Sequence, residues 1–167
     1  TLTPEHAAPW LGGTFRFDGV HFEARGYRPF SGNVVAVRLQ LGTITGQVVN
    51  AVPISERFFL GGTTVRRGWG AFEVSPLSDT GLPIGGRSQL AITTEVRRLF
   101  TKTWGAAVFF EGGNVWPGSG EFHLGDLRYD VGPGIRWISP VGILRGDFGF
   151  QLNPIPGLTV DDKLVTR

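Results

Sequence analysis

Cysteine and methionine are both absent from this 167-residue chain. Without cysteine there is no disulfide framework and no thiolate metal site. Zero cysteine suits an oxidising compartment without establishing one. With no methionine, residue 1 is not expected to be a translation start, and we expect a piece of a longer chain. No apolar run approaches the ~20 residues of a membrane helix. The opening TLTPEHAAPW has neither a basic region nor an apolar core, so it does not read as a signal peptide. Charge of one sign is missing too: 16 Lys+Arg stand against 14 Asp+Glu, a net +2. So even a balance gives no argument for nucleic acid. His6, His21 and His123 are scattered without metal-ligand spacing, and no metal or cofactor is expected. Helix patterning is also lacking, since no window holds an apolar stripe at i, i+3, i+4, i+7 over three turns.

What remains is alternation. Hydrophobic residues make up 41% of the chain, with 13 Phe and 5 Trp, which excludes a disordered chain. Glycine is 26 of 167, well above the ~7% average and with no collagen period. Period-two runs are separated by Gly, Pro, Asn, Asp and Ser clusters. They predict six strands, at 14–29, 34–45, 87–100, 104–116, 127–139 and 142–152, with a long stretch at 46–86. The connections TKT and PV are short enough for hairpins. GYRPFSGN reads as the turn between the first two strands.

Splitting strands into faces repeats one pattern. In the third, Leu90, Ile92, Thr94 and Val96 oppose Gln89, Ala91, Thr93, Glu95 and Arg97. In the fourth, Trp104, Ala106, Val108 and Phe110 oppose Gly105, Ala107, Phe109, Glu111 and Gly113. In the fifth and sixth, Arg128, Asp130, Arg136, Arg145 and Asp147 share the small-residue face. The first strand alternates too poorly for its faces to be assigned. Two architectures fit: a soluble sandwich with the apolar face as core, or a membrane barrel with that face toward lipid. Three details favour the barrel. Strands of ~10 residues can cross a bilayer when tilted. Trp104, Trp116, Tyr129 and Trp137 sit at strand ends, as an interfacial girdle would. Charges alternate with Gly and Ala, which suits an enclosed interior receiving something bulky.

The stretch LGGTTVRRGWG at 60–70 is the least expected. It lacks the Lys-Ser/Thr of a phosphate loop and joins no strand to a helix. Four carboxylates, Glu95, Glu111, Asp130 and Asp147, raise glycoside hydrolysis by a carboxylate pair. Their interleaving with Arg128, Arg136 and Arg145 reads better as a salt-bridged wall, and no enzyme is expected.

Three ordered strings, RFFLGGTTVRRGWG at 57–70, FFEGGNVW at 109–116 and LRYDVGPGIRWISPVGILRGDFGFQLNP at 127–154, closely resemble the BamA/TamA family of outer-membrane assembly proteins (the bacterial surface antigen family). The resemblance covers nearly the whole chain. It implies an all-β, antiparallel transmembrane barrel, sixteen-stranded in the family, of which these six segments form a C-terminal part. The final closing strand would be absent. Stretch 46–86 would be a long loop folded into the lumen. Its Arg-Gly-aromatic tip would be Arg67, Gly68 and Trp69, docking on Glu95 and Glu111. The doubled arginine leaves open whether Arg66 docks instead, and Trp69 replaces the usual Phe or Tyr. Trp69 is expected against small wall residues such as Gly113 or Ala107. The same alternation places Glu95 and Glu111 on the charged side of adjacent hairpin strands, where one guanidinium fork could reach both. The bland alternative is a solvated pair of arginines.

The resemblance further implies residence in a bacterial or organelle outer membrane, with the lipid bilayer and unfolded outer-membrane clients as partners. Periplasmic domains of the same full-length chain and accessory lipoproteins would be further partners, and nucleic acid would not. Other expectations are a polypeptide-secreting transporter of the same superfamily and a passive porin-like barrel.

Overall fold

A computed structural model describes residues 1–11, 14–46, 52–63, 65–155 and 165–166. Eight strands form one antiparallel sheet in simple sequence order. They are β1 (Leu2–Ala7), β2 (Phe17–Phe30), β3 (Asn33–Gly46), β4 (Ser88–Leu99), β5 (Trp104–Trp116), β6 (Arg128–Ser139), β7 (Gly142–Gln151) and β8 (Val165–Thr166). No helix among the described residues is long and apolar enough to cross a membrane, which says nothing about crossing by strands.

Strands β2 to β7 occupy the six stretches that alternation marks, with ends moved by up to three residues. β1 and β8 are additions to the six. β1 carries Pro4 and no clean alternation, so the period-two signal misses it. It pairs with β2 from Leu2↔Phe22 to Ala7↔Phe17. β8 pairs through two residues only, Phe148↔Thr166 and Gly149↔Val165.

The turns follow from local chemistry. β2 and β3 are joined by Ser31 and Gly32, both at positive φ (48° and 76°). This is the backbone that a two-residue hairpin with right-handed strand twist requires. At the β4–β5 turn the Thr101 hydroxyl accepts from the Trp104 amide at 2.9 Å.

The distribution of burial is inverted relative to a soluble sheet. Ala91, Glu95, Ala107, Phe109, Glu111 and Asp130 are buried. Ile92, Val96, Val108, Phe110, Ile135, Trp137 and Phe148 are exposed on the opposite face. No second sheet covers that apolar face among the described residues, so it is not a sandwich core. The covered face is the small and charged one, and what covers it is the chain between β3 and β4. Register also settles the faces of β2: His21, Glu23 and Arg25 lie beside inner Gly42, Gln40 and Arg38.

The inward chain is braced as an irregular hairpin. Phe58 bridges Gly86, Leu60 bridges Val74, and Leu77 bridges Pro83. Its apolar anchor is a cluster of Leu60, Trp69, Val74, Ala91 and Val115. A second cluster, Phe17, Ile44 and Val52, fixes its start against β2 and β3. Where Phe58 crosses β3 the wall must be flat: a Cβ on Gly42 would lie 2.5 Å from the Phe58 ring.

Candidate functional site: an arginine pair in the lumen wall

Register builds the site before any loop reaches it. Arg38 pairs with Thr93, Thr93 with Glu111, Glu111 with Asp130, and Asp130 with Gln151. This lines up one polar row across five strands on the inner face. One dyad away, Glu95 pairs with Phe109 and Phe109 with Gly132. Two carboxylates directly opposite each other, Glu111 and Asp130, repel unless a cation intervenes. The loop supplies two.

Arg66 is fully buried. Its Nε donates to Asp130 Oδ1 at 2.8 Å, and its Nη2 lies 2.7 Å from the same oxygen. The rest of the fork donates to the Gly113 carbonyl at 3.0 Å and the Arg128 carbonyl at 2.6 Å. Arg67 turns to the neighbouring acids. Its Nε donates to Glu111 Oε1 at 2.9 Å, and its Nη1 donates to Glu95 Oε2 at 2.5 Å. Its guanidinium also stacks over Phe109, 3.6 Å from the ring centroid, a cation–π contact strengthened by the dry setting.

Both carboxylates hold backbone as well as side chain. Glu111 Oε2 accepts the Arg67 amide at 2.8 Å. Asp130 Oδ2 accepts the Gly68 amide at 2.9 Å. Each acid thus clamps one guanidinium with one oxygen and one peptide N–H with the other. From β7, Gln151 Nε2 donates to the Gly68 carbonyl at 2.9 Å.

Gly68 is there because the walls are close. A Cβ on it would sit 2.6 Å from Asp130 Cβ. From the other side, a Cβ on Gly149 would sit 2.5 Å from Gly68 Cα. Neither contact survives a side chain, so one glycine on the loop and one on β7 permit the approach.

The outer charges complete a network. Arg136 Nη1 donates to Asp147 Oδ1 at 2.6 Å, and its Nη2 lies 3.4 Å from Glu95. Arg97 Nε donates to Glu95 Oε1 at 2.6 Å. Arg145 donates to the Thr63 carbonyl at 3.1 Å. Burial lowers the pKa of the Arg66 guanidinium, with Asp130 opposing it. Burial also acts against the Arg67 cation, but Glu111 and Glu95 outweigh it and the net shift is upward. Guanidinium stays charged in either case.

The two arginines are therefore not alternatives: each has its own acid. Asp130, marked in the sequence only as one more luminal charge, is the Arg66 partner. Alternation puts it on the inner face, and only the β5–β6 register sets it opposite Glu111. Trp69 packs on Ala91, a small residue of the β4 wall, and shares its cluster with Leu60, Val74 and Val115. The Arg66 guanidinium stands beside Gly113, 3.0 Å from where a Cβ would be. Trp116 is not a girdle residue either; it is buried against Phe122 in an edge-on contact with centroids 5.6 Å apart. Trp104 and Trp137 are exposed and stacked, with centroids 5.7 Å apart. His6 is tied to Asp18 at 2.6 Å, and no group of three potential metal ligands occurs among the described residues.

Comparison with known proteins gives a consistent result. The Omp85 superfamily domain matches residues 1–161. An outer membrane protein assembly factor BamA from Nitratidesulfovibrio vulgaris is 32% identical over 148 residues, covering 86% of this chain and 19% of that protein. The crystal structure of BamA from Haemophilus ducreyi lacking POTRA domains 1–3 superposes with a TM-score of 0.70 at 19% identity. That match covers 90% of this chain and 34% of the other, so this chain spans about a third or less of either relative. The shared fold is a segment of an antiparallel β-barrel wall.

Proposed function

The chain belongs to the Omp85 superfamily, and on that premise we propose that it is a wall segment of an outer-membrane insertase, a barrel that assembles other β-barrel proteins into the membrane. It forms a C-terminal part of that barrel within a longer chain. It resides in the outer membrane, with the bilayer and unfolded outer-membrane proteins as partners. Periplasmic domains of the full-length chain and accessory lipoproteins are further partners. The loop carrying Arg66, Arg67, Gly68 and Trp69 acts as a latch that keeps the lumen filled and the wall stiff while client strands pair elsewhere.

The observation that carries this reading is the double clamp: two buried arginines, two buried acids, and a peptide N–H bound by each acid. In it the charged groups bind one another and the loop backbone, and we read its work as mechanical. The outer face supports membrane residence. Asp18 and Arg28 are ten residues apart on β2, and the outer positions between them carry no charge. At ~3.3 Å per residue and a ~45° tilt this is about 23 Å, close to the ~25 Å apolar band of outer-membrane barrels.

The experiment is depletion of the full-length protein in its host, followed by the folded fraction of outer-membrane proteins. Accumulation of unfolded clients is expected. Normal assembly, together with open-channel conductance of the purified protein in planar bilayers, would instead establish a passive porin.

A further inference from the structure

The two ends of the wall differ in charge. The short-turn segments 24–37, 96–106 and 131–146 contain no Asp or Glu. They hold Arg25 and Arg28, then Arg97, Arg98 and Lys102, then Arg136 and Arg145. Four of these point inward and are engaged. Arg25 pairs with Glu23, Arg97 and Arg136 with Glu95, and Arg145 with the Thr63 carbonyl. The other three do not. Register places Arg28 with outer Val35 and Arg98 with outer Ala106, while Lys102 sits in the β4–β5 turn. All three are exposed, and their side chains have no hydrogen-bond or ion-pair partner among the described residues.

The outer face of β2 to β7 carries only three charges, and their placement is ordered. Asp18 lies at the long-loop end, and both cations, Arg28 and Arg98, lie at the short-turn end. Beside them stand the exposed stacked pair Trp104 and Trp137 and the exposed Phe30 and Phe100. Below the rim the surface is grooved. One apolar depression of about 290 Å³ runs between β5 and β6, lined by Trp104, Ala106, Pro133, Ile135 and Phe148. Another, of about 640 Å³, lies under Arg28 and Phe30 against Val35 and Val37.

We propose that this rim is a binding site for anionic phospholipids of the leaflet on the short-turn side. The phosphate sits between Arg98, Lys102 and Arg28, and one acyl chain lies in the groove below Trp104. Unpaired cations above an apolar groove match a headgroup phosphate joined to a hydrocarbon tail. Indole rings belong at that depth, because they are apolar in body and polar at one edge. A soluble acidic protein would leave the grooves empty, and a neutral lipid would leave the cations unpaired. The proposal rests on the barrel spanning a membrane.

The test uses the full-length protein reconstituted into bilayers of equimolar phosphatidylglycerol and phosphatidylcholine. It is then released into detergent, and retained lipid is identified by native mass spectrometry. The wild type is expected to retain phosphatidylglycerol in preference. Each cation near a charged lipid surface is worth about a fivefold preference, so Arg98→Gln with Lys102→Gln should lower it about twenty-five-fold. Arg87→Gln, at the long-loop end, should leave it unchanged. Raising the salt should weaken the preference of the wild type. Equal retention of both lipids by the wild type, or an undiminished preference in the double variant, overturns the proposal. Failure to enter bilayers at all overturns both it and the membrane reading. Insertion without lipid preference overturns the lipid site alone.

Discussion

Asp130→Asn is the sharpest single perturbation of the clamp. The substitution keeps volume and shape while removing charge, so no cavity confuses the result. Asp130 Oδ1 accepts Arg66 Nε at 2.8 Å with Nη2 2.7 Å away, and Asp130 Oδ2 accepts the Gly68 amide at 2.9 Å. An asparagine has one oxygen for these donors. If the oxygen faces Arg66, its NH₂ confronts the Gly68 N–H; the reverse flip confronts Arg66. Removing one partner of a buried ion pair costs about 3–5 kcal/mol, because the other charge stays buried. Arg66 keeps the Gly113 and Arg128 carbonyls, which places the cost near the lower end, at about 3 kcal/mol. At 1.4 kcal/mol per factor of ten, the undocked loop should gain about a hundredfold in population. Amide hydrogen exchange over residues 60–70 of the full-length protein in bilayers reads this directly. Exchange should rise about a hundredfold there and stay unchanged in β4 and β5. Replacing both charges, with Arg66→Met and Asp130→Leu, should be milder than Asp130→Asn, since no unpaired charge remains. Unchanged exchange over 60–70 in Asp130→Asn would refute the reasoning. So would strict additivity of the two single changes, which would mean that the residues are uncoupled.

Three other changes probe separate parts of the site. Gly68→Ala pushes a methyl toward Asp130 Cβ, 2.6 Å away, and Gly149→Ala pushes one toward Gly68 Cα, 2.5 Å away; each should cost about 1–3 kcal/mol, seen as faster protease cleavage of the loop. Arg67→Lys keeps the charge but not the fork that spans Glu111 and Glu95. It should lose about one charged hydrogen bond, 1.5–3 kcal/mol, in the same assay. It should cost less than Glu111→Ala, which also frees the Arg67 amide. Trp69→Ala empties a buried cluster and should cost about 3–5 kcal/mol, measured as loss of loop protection in hydrogen exchange.

Period-two alternation marks β3 to β7 by an apolar face of Val, Leu, Ile or Phe opposite a face rich in Gly, Ala and charge, while the faces of β2 come only from its register with β3. Alternation leaves the covered face open between a sandwich and a barrel, and strand length, aromatic strand ends and the small residues among the charges favour the barrel. β1 escaped because TLTPEHA, interrupted by Pro4, has no alternation to read. The pairing of Arg66 with Asp130 escaped for another reason. Alternation assigns a face but not a register, and only the register sets Asp130 opposite Glu111. With one acid recognised on each of β4 and β5, a single docking arginine sufficed; the third acid shows why there are two.

The most direct measurement of the central claim is the rate at which the reconstituted full-length protein inserts an unfolded outer-membrane client into vesicles. It should be compared between the wild type and the Arg66→Ala, Arg67→Ala double variant, with both shown to be membrane-embedded. The account predicts that the wild type accelerates insertion over protein-free vesicles and that the double variant loses most of that acceleration while its loop becomes protease-sensitive. Full acceleration by a variant whose loop is released would contradict it.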